Sequence, residues 1–492
     1  MSSEINFDVL IPLVLYLVFV FAIGLYSSKY VSWAAQREGK GFFVEFLVGN
    51  RDIGGFVLAM TLVATYLSAG SFIGGPGAAY TYGLAWVFLA MSQMPTGYFT
   101  LSVLGKKFAI VARKINAVTI TDFLKERYES KAIILICSLS IVFFFTAAMT
   151  AQWIGAARIL EGSVGLPYRT ALALFGSTVL IYTIIGGFRA VALTDTLQGI
   201  VMAVGTIVLI VTAVIAGGGI SNIIQKMYEI NPGLLSPYSI DPNFMSAAWV
   251  TSFWILVGFA VVGLPQIAVR AMSYRDSKSL KSAIIYGTIV SMVLLLGMHM
   301  LGAFGRVLVP DIAAGDLVVP TITTTLFPNW AAGLILAGPL AAVMSTVDSM
   351  LLLAVGAIVN DLYANFIKSK VKNNAMITFI ASVAIGIIVF IAAYNPPPLL
   401  VWLNLYANAG IISTFLWPII LGLYWKRANA QGAIASIVVG IGFYMVFNSY
   451  WPRPFGMHVI VLPLAMSLTA FVAVSLFTKR PPQRIIEKFW GV

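Results

Sequence analysis

Ser68-Ala69-Gly70-Ser71-Phe72-Ile73-Gly74-Gly75-Pro76-Gly77 lies inside an apolar run, 53 to 80, that is otherwise long enough to cross a bilayer. Glycine and proline at this density break a helix. A second run, 246 to 270, is broken in the same manner from Gly258 through Gly263-Leu264-Pro265. Inside a bilayer an unpaired backbone amide or carbonyl costs several kcal/mol, so unwound chain persists only where it lines a cavity or holds a solute. Paired breaks at matching positions of two halves are the mark of a secondary transporter with its site near the membrane midplane. The competing reading is a pair of proline kinks that help helices pack.

Composition agrees with a membrane setting. Of 492 residues, 60% are hydrophobic and 10% charged, against about 45 to 50% and about 25% in soluble domains. The fold class is therefore an all-α membrane protein. A single cysteine, Cys137, excludes a disulfide framework and a cysteine-built metal site. The net charge of +12 is spread along short hydrophilic loops, whereas nucleic-acid binding needs it clustered with aromatics on a soluble face. No nucleic-acid partner is expected. Nor is an ATP-driven pump, because no phosphate-binding loop is present: Gly105-Lys106 is followed by Lys107 and preceded by Thr100 at the required glycine. No cluster of histidines and carboxylates suggests metal hydrolysis, so the chain is not read as an enzyme. A channel would need no paired gating.

Spanning runs fall near 7 to 26, 53 to 80, 84 to 105, 132 to 156, 168 to 186, 191 to 216, 246 to 270, 282 to 305, 331 to 358, 375 to 394, 399 to 425, 432 to 450 and 457 to 477. Thirteen spans put the termini on opposite sides. Alternating the loops gathers 25 of the 30 basic residues on one side, among them Lys29, Arg37, Lys40, Arg51, Arg189, Arg270, Lys368, Lys370 and Lys372. Only Arg158, Arg169, Lys226, Arg306 and Arg453 fall opposite. The positive-inside rule then gives an outside N-terminus and an inside C-terminus. The first run is preceded by Glu4 and no basic residue and lacks a small-residue cleavage site, so it is read as a helix and not as a signal peptide.

If the second and seventh spans are the broken ones, 53–216 and 246–425 form two five-helix units of inverted topology. The whole chain, 1–492, is then one transmembrane transporter domain, with helix 1 peripheral and 432–477 supplying two further peripheral helices. No sequence identity between the units is visible.

A sodium ion wants oxygen ligands, and the cheapest in lipid are freed carbonyls and neutral hydroxyls. Unwinding from Ser68 to Gly77 frees the carbonyls of Ala64 and Leu67, which a regular ladder pairs with Ser68 and Ser71. The ninth span offers the hydroxyls of Ser345 and Thr346 with the carbonyl of Ala342, enough for five oxygens. Such hydroxyls also bond back to their own helix or join neighbours, and spacing leaves both readings open. Asp348 shares a face with Ser345. A buried ionisable group at this depth is a functional candidate by default, here on the ion's exit path, or else a hydrogen-bonded aspartate near the inner water.

These residues carry a resemblance. Ala342-Val343-Met344-Ser345-Thr346, Gly186-Gly187-Phe188-Arg189-Ala190 with Thr194-Asp195, and Tyr424-Trp425-Lys426-Arg427 with Gly432-Ala433 resemble markers of the sodium/solute symporter family. Leu58-Ala59-Met60-Thr61-Leu62, Ser71 through Tyr80, Leu104 through Ile110, Thr251-Ser252-Phe253-Trp254 and Trp402-Leu403-Asn404-Leu405 are similar to its bacterial pantothenate branch. The resemblance covers nearly the whole chain. It implies a leucine-transporter-like fold, a multi-pass protein of the bacterial cell membrane, and sodium-coupled uptake of pantothenate by alternating access. The alternative is symport of another small carboxylate or an amino acid such as proline. It also implies sodium ligands at Ala64, Leu67, Ala342, Ser345 and Thr346, and a place for Asp195 on the inward sodium path. Some members carry an aspartate just before the Leu67 position, where this chain has Tyr66.

Pantothenate is a small anion with an amide and two hydroxyls, and no lysine or arginine lies mid-span to meet its carboxylate. Half-helix N-termini remain as the source of positive potential, which points to backbone amides around Ser71, Gly74 and Gly75. Ser68, Ser71, Gln152, Asn404 and Asn408 are the candidate readers of its polar groups. Phe259 and Trp254 are candidates to cover its gem-dimethyl group, and His299 is read as a packed core histidine. Partners are thus the anion, sodium and the lipid bilayer, with the oligomeric state left open.

Overall fold

The computed structural model describes residues 5–38, 51, 53–240, 244–367 and 374–491. Lys40, Lys368, Lys370 and Lys372 lie outside the described residues, as do the side chains of Lys29, Arg37 and the 186–190 marker. Among the described residues all regular structure is helical, apart from an isolated bridge between Ile53 and Tyr274.

The principal helices are α1 (Phe7–Glu38), α2 (Gly55–Tyr66), α3 (Gly75–Tyr82), α4 (Lys131–Val164), α5 (Tyr168–Ala216), α6 (Ala247–Phe253), α7 (Pro265–Ala268), α8 (Ser277–Leu308), α9 (Asn329–Gly356), α10 (Asn374–Ala393), α11 (Val401–Tyr424), α12 (Ala430–Tyr450) and α13 (Val461–Phe477). Among the described residues seven helices are long and apolar enough to cross a membrane, or nine when each of two bent pairs is taken as one span. The bent pairs are the two broken runs: Gly55–Tyr66 meets Gly70–Tyr82 at 67°, and Ala247–Gly263 meets Pro265–Met272 at 54°.

Two expected segments differ in form. The 84 to 105 run is built of two short helices, Leu84–Ala90 and Thr96–Val103, because Pro95 ends the ladder between them. The 168 to 186 and 191 to 216 runs fall within one helical element, α5, of 49 residues. Its described apolar stretches are Tyr168–Ile181 and Thr194–Ala216, and 49 residues are enough for two spans.

The first break is shorter than the glycine pattern suggests. The chain leaves α2 at Leu67 (φ −80°, ψ 110°) and is helical again as a π turn over Gly70–Gly74 that runs into α3. Pro76 sits in the first turn of α3, where its missing amide is no loss and its fixed φ favours the helix. Proline here restarts a helix and does not prolong the gap. The second break repeats this: a π turn (Trp254–Phe259) and a 3-10 turn (Ala260–Gly263) end at extended Leu264 (φ −83°, ψ 114°), and Pro265 opens α7.

α9 packs along α1, α4 and α5 at the centre of the molecule. Every residue from Leu336 to Leu351 is buried, as expected of a helix apolar on all faces. The hydroxyls and carboxylate it carries therefore meet protein and not lipid. α8 closes on α3 at Gly302, where a Cβ would stand 2.2 Å from the Pro76 carbonyl oxygen; only glycine permits that approach.

Candidate functional site

The first break rearranges a specific set of backbone groups. In a continuous helix the amide of Ala69 would pair with Thr65 and that of Ser71 with Leu67. Instead Ala69 N–H donates to Gln152 Oε1 (2.7 Å), Gly70 N–H to Ser68 Oγ (3.1 Å), and Ser71 and Phe72 N–H to the Ser68 carbonyl (2.9 and 3.0 Å). The carbonyls of Ala64, Thr65 and Leu67 are thereby released, and α9 meets two of them. Ser345 Oγ donates to the Ala64 carbonyl (2.7 Å) and lies 3.2 Å from that of Ala342. Thr346 Oγ1 is 2.9 Å from the Ala342 carbonyl and 3.4 Å from that of Thr65.

This oxygen cluster is completely shielded, with Ala64, Ala342 and Ser345 at 0% exposure and Thr346 at 1%; Leu67 is equally buried at the break, but among the described residues no hydrogen bond ties its carbonyl to the α9 hydroxyls. Ligands at right angles on a hard cation with contacts of about 2.3 to 2.6 Å stand ~3.3 to 3.7 Å apart. The observed separations, 2.7 to 3.4 Å, are a little tighter, as hydrogen bonds across the same oxygens require. Separations a few tenths of an ångström wider would match that ligand spacing. The Thr65 carbonyl was not named from sequence, although its helical partner Ala69 lies inside the serine and glycine run and donates to Gln152 instead.

One turn away lies a buried charged network. Asp195 Oδ2 accepts from Thr61 Oγ1 (2.6 Å) and faces Arg270 Nη2 at 3.4 Å. Arg270 also donates to Ser349 Oγ (2.7 Å) and to the Gln266 carbonyl (2.6 Å). Asp348 Oδ1 accepts from Thr183 Oγ1. Both aspartates are fully buried. Arg270, assigned by loop alternation to the basic inner surface, is instead a core residue at 1% exposure. The signal available in the sequence was the apolar run Val269, Ala271, Met272 continuing past it.

Between the two breaks is a narrow cavity of about 40 Å³, room for a few waters in the state seen here. Tyr66, Ser68, Gly70, Ser71 and Gly75 line it from the first broken helix, Leu256, Val257, Val261 and Leu264 from the second, and Asn404 and Asn408 from α11. The two breaks touch across it through the Tyr66 hydroxyl, which donates to the Val257 carbonyl at 3.1 Å. Tyr66 thus links the halves at the position where some relatives of this sequence type carry a carboxylate.

A relay fixes the polarity of the cavity wall. Ala69 N–H can only donate, so the Gln152 atom beside it is the oxygen. Gln152 Nε2 then donates to Asn404 Oδ1 (3.2 Å), which leaves the Asn404 amide hydrogens on the cavity side, against Gly70. The backbone amides around Ser71 to Gly75, expected to meet an anion, are engaged by Ser68 and by the helix itself, Gly75 N–H pairing with the Gly70 carbonyl. Donor capacity passes to the side chains of Asn404, Ser68 and Ser71. Gly74 packs against Leu400 and Val401, and Gln152 acts from behind Asn404.

Among the aromatics the arrangement also differs from expectation. Trp254 points outward at 46% exposure, and Phe259 packs edge-on to Phe99 at 6.4 Å. Trp86 and Phe253 form the cavity wall instead. They continue into a packed plug of Trp402, Trp249, Phe244 and Tyr82. Sequence could not separate Phe253 from Trp254, because a π turn shifts which face each presents.

The model of the "Sodium:solute symporter family" matches residues 46–440. The sodium/pantothenate symporter of Escherichia coli (strain K12) is 46% identical over 482 residues, 97% of this chain and 98% of that protein. That of Haemophilus influenzae is 45% identical over 487 residues, 98% of each. Among solved structures, the substrate-bound, outward-open state of a Na+-coupled sialic acid symporter superposes with a TM-score of 0.77 at 20% identity, covering 97% of this chain and 99% of that one. The last likeness speaks to the fold.

Proposed function

Because this chain belongs to the sodium:solute symporter family, we propose that it carries pantothenate into the bacterial cell together with sodium by alternating access. It is a membrane transporter and not an enzyme. Sodium is the coupling ion, held by the carbonyls of Ala64, Leu67 and Ala342 and the hydroxyls of Ser345 and Thr346, with Asp195 and Asp348 on its path to the inner water. Support comes from the convergence of released carbonyls and α9 hydroxyls at one fully buried point.

Pantothenate occupies the cavity between the breaks once alternating access widens it beyond the present 40 Å³. Its carboxylate is met by the Asn404 amide and the hydroxyls of Ser68 and Ser71, near the positive end of the π turn and α3; Asn408 completes the polar wall. The architecture in this reading is thirteen spans with an outside N-terminus and an inside C-terminus, supported by the basic residues gathered on one side. Residues 53–216 and 246–425 are its inverted units, and helix 1 and 432–477 its periphery.

The observation that carries the reading is that both breaks line one cavity and join across it through Tyr66 and Val257. Uptake of labelled pantothenate into proteoliposomes tests it. Accumulation is expected with sodium outside; equal accumulation in potassium alone refutes sodium coupling, and no accumulation in either refutes the substrate.

A further inference from the structure

His299 has an unusual setting for a packed core residue. It lies on α8 at 1% exposure, yet its ring reaches the cavity wall beside Ser71 and Gly75. Nδ1 stands 2.7 Å from the carbonyl oxygen of Leu295, one turn earlier on the same helix. A carbonyl only accepts, so Nδ1 carries the hydrogen, and in the neutral ring Nε2 is left as a lone-pair acceptor. Nε2 sits at Gly75: a Cβ there would fall 2.3 Å from it. Gly75 N–H is spent on the Gly70 carbonyl, and among the described residues no protein group donates to Nε2. A bare nitrogen acceptor thus faces the cavity, oriented by its own helix and admitted by a glycine.

The opposite polarity lies along the same segment. Asn404 Nδ2 is 2.5 Å from where a Cβ on Gly70 would be, and the relay through Gln152 makes it a donor. Gly70 and Gly75 bound a single π turn closed by the Gly75 amide on the Gly70 carbonyl, about 5 to 6 Å along the axis. The cavity therefore has a donor pole near the break and an acceptor pole about one turn further on, at the start of α3.

Resting on the reading of this cavity as the pantothenate site, we propose that His299 is a specificity-determining residue whose Nε2 accepts a hydrogen bond from the secondary hydroxyl of the substrate's pantoyl half, while the carboxylate lies at the Asn404 pole. Six bonds separate the carboxylate carbon from that hydroxyl oxygen. Extended chain covers 3.8 Å in three bonds, so the two groups reach at most about 7.6 Å apart and, with the chain bent, bridge poles one turn apart. Substrates without a donor at that distance from their carboxylate leave Nε2 buried and unpaired, and unpaired buried acceptors disfavour binding.

The test compares pantothenate with its analogue lacking the secondary hydroxyl, using sodium-driven uptake in proteoliposomes by wild type, His299→Leu and His299→Gln. Wild type is expected to favour the parent compound at least about tenfold in KM. His299→Leu, of similar bulk and without an acceptor, should raise KM for the parent by a like factor, change KM for the deoxy compound little, and leave kcat for both within about twofold. His299→Gln, which keeps an acceptor oxygen, should restore the preference. Equal losses for both compounds in His299→Leu, or an undiminished preference, overturn the proposal. Should His299→Leu fail to fold, the glutamine variant decides: a retained preference supports the acceptor role and a lost one overturns it. Wild type that takes up no pantothenate at all would instead defeat the substrate assignment, so the two failures are distinguishable.

Discussion

Ser345→Ala isolates what the oxygen cluster does. Without the ion, Ser345 Oγ satisfies the carbonyl of Ala64 at 2.7 Å, a group that the break has deprived of its helical partner. With the ion bound, the same hydroxyl turns its lone pair to the cation and sends its hydrogen toward Ala342, 3.2 Å away. Alanine removes the ligand in the second state and the donor in the first. The lost contact to a charge is worth about 1.5 to 3 kcal/mol, or roughly a 10- to 100-fold rise in half-saturating sodium at 1.4 kcal/mol per decade. The unpaired Ala64 carbonyl takes back part of this by destabilising the empty site, so the lower part of that range is expected. The assay is sodium activation of pantothenate uptake at saturating substrate, with protein content measured in the same vesicles. Thr346→Ala should behave alike, and Thr346→Ser should recover most of the loss because it keeps the oxygen. Wild-type sodium dependence in both alanine variants, at normal protein content, refutes the cluster as an ion site.

Other perturbations probe the surroundings. Asp195→Asn removes the charge that faces Arg270 across 3.4 Å, and Asp348→Asn the acceptor of Thr183; both should slow turnover several-fold with a smaller change in apparent sodium affinity, and unaltered exchange and net transport would make them structural. Asp316 lies outside the spanning helices, in the Gly315–Leu317 turn, and its Oδ2 accepts from Leu400 N–H at 2.9 Å at the start of α11. Burial raises its pKa to about 7, against the Leu400 hydrogen bond and the charge of Arg158, which lower it. A carboxyl raised in the fold holds its proton more tightly there than in the unfolded chain, so its contribution is complete below about pH 3.8 and is lost as pH rises toward about 7. Asp316→Asn should therefore flatten the decline in thermal stability across that window; an unchanged profile refutes the assignment.

Much of this was legible in the chain itself. Glycine and proline within apolar runs located both bends, because lipid offers no partner for freed backbone and few residue types tolerate such bends. The adjacent Ser345 and Thr346, followed by Asp348 and Ser349 in an otherwise apolar stretch, marked where α9 carries its buried polar groups. What the pattern could not give was the direction of each group. Whether the amides near Ser71 remain open depends on where Ser68 and Gln152 reach, and those partners come from 2 and 83 residues away.

By itself, the sequence determined a helical membrane protein with two interrupted spans and a hydroxyl pair on a central helix, since hydrophobicity and backbone stereochemistry act locally. Only the tertiary structure decided that Arg270 is buried beside Asp195, that Phe253 and not Trp254 walls the cavity, and that His299 turns a bare nitrogen toward Gly75. The reason is that burial and hydrogen-bond partnership belong to pairs of surfaces. A residue's own neighbours in the chain do not say which distant helix will come within 3 Å of it.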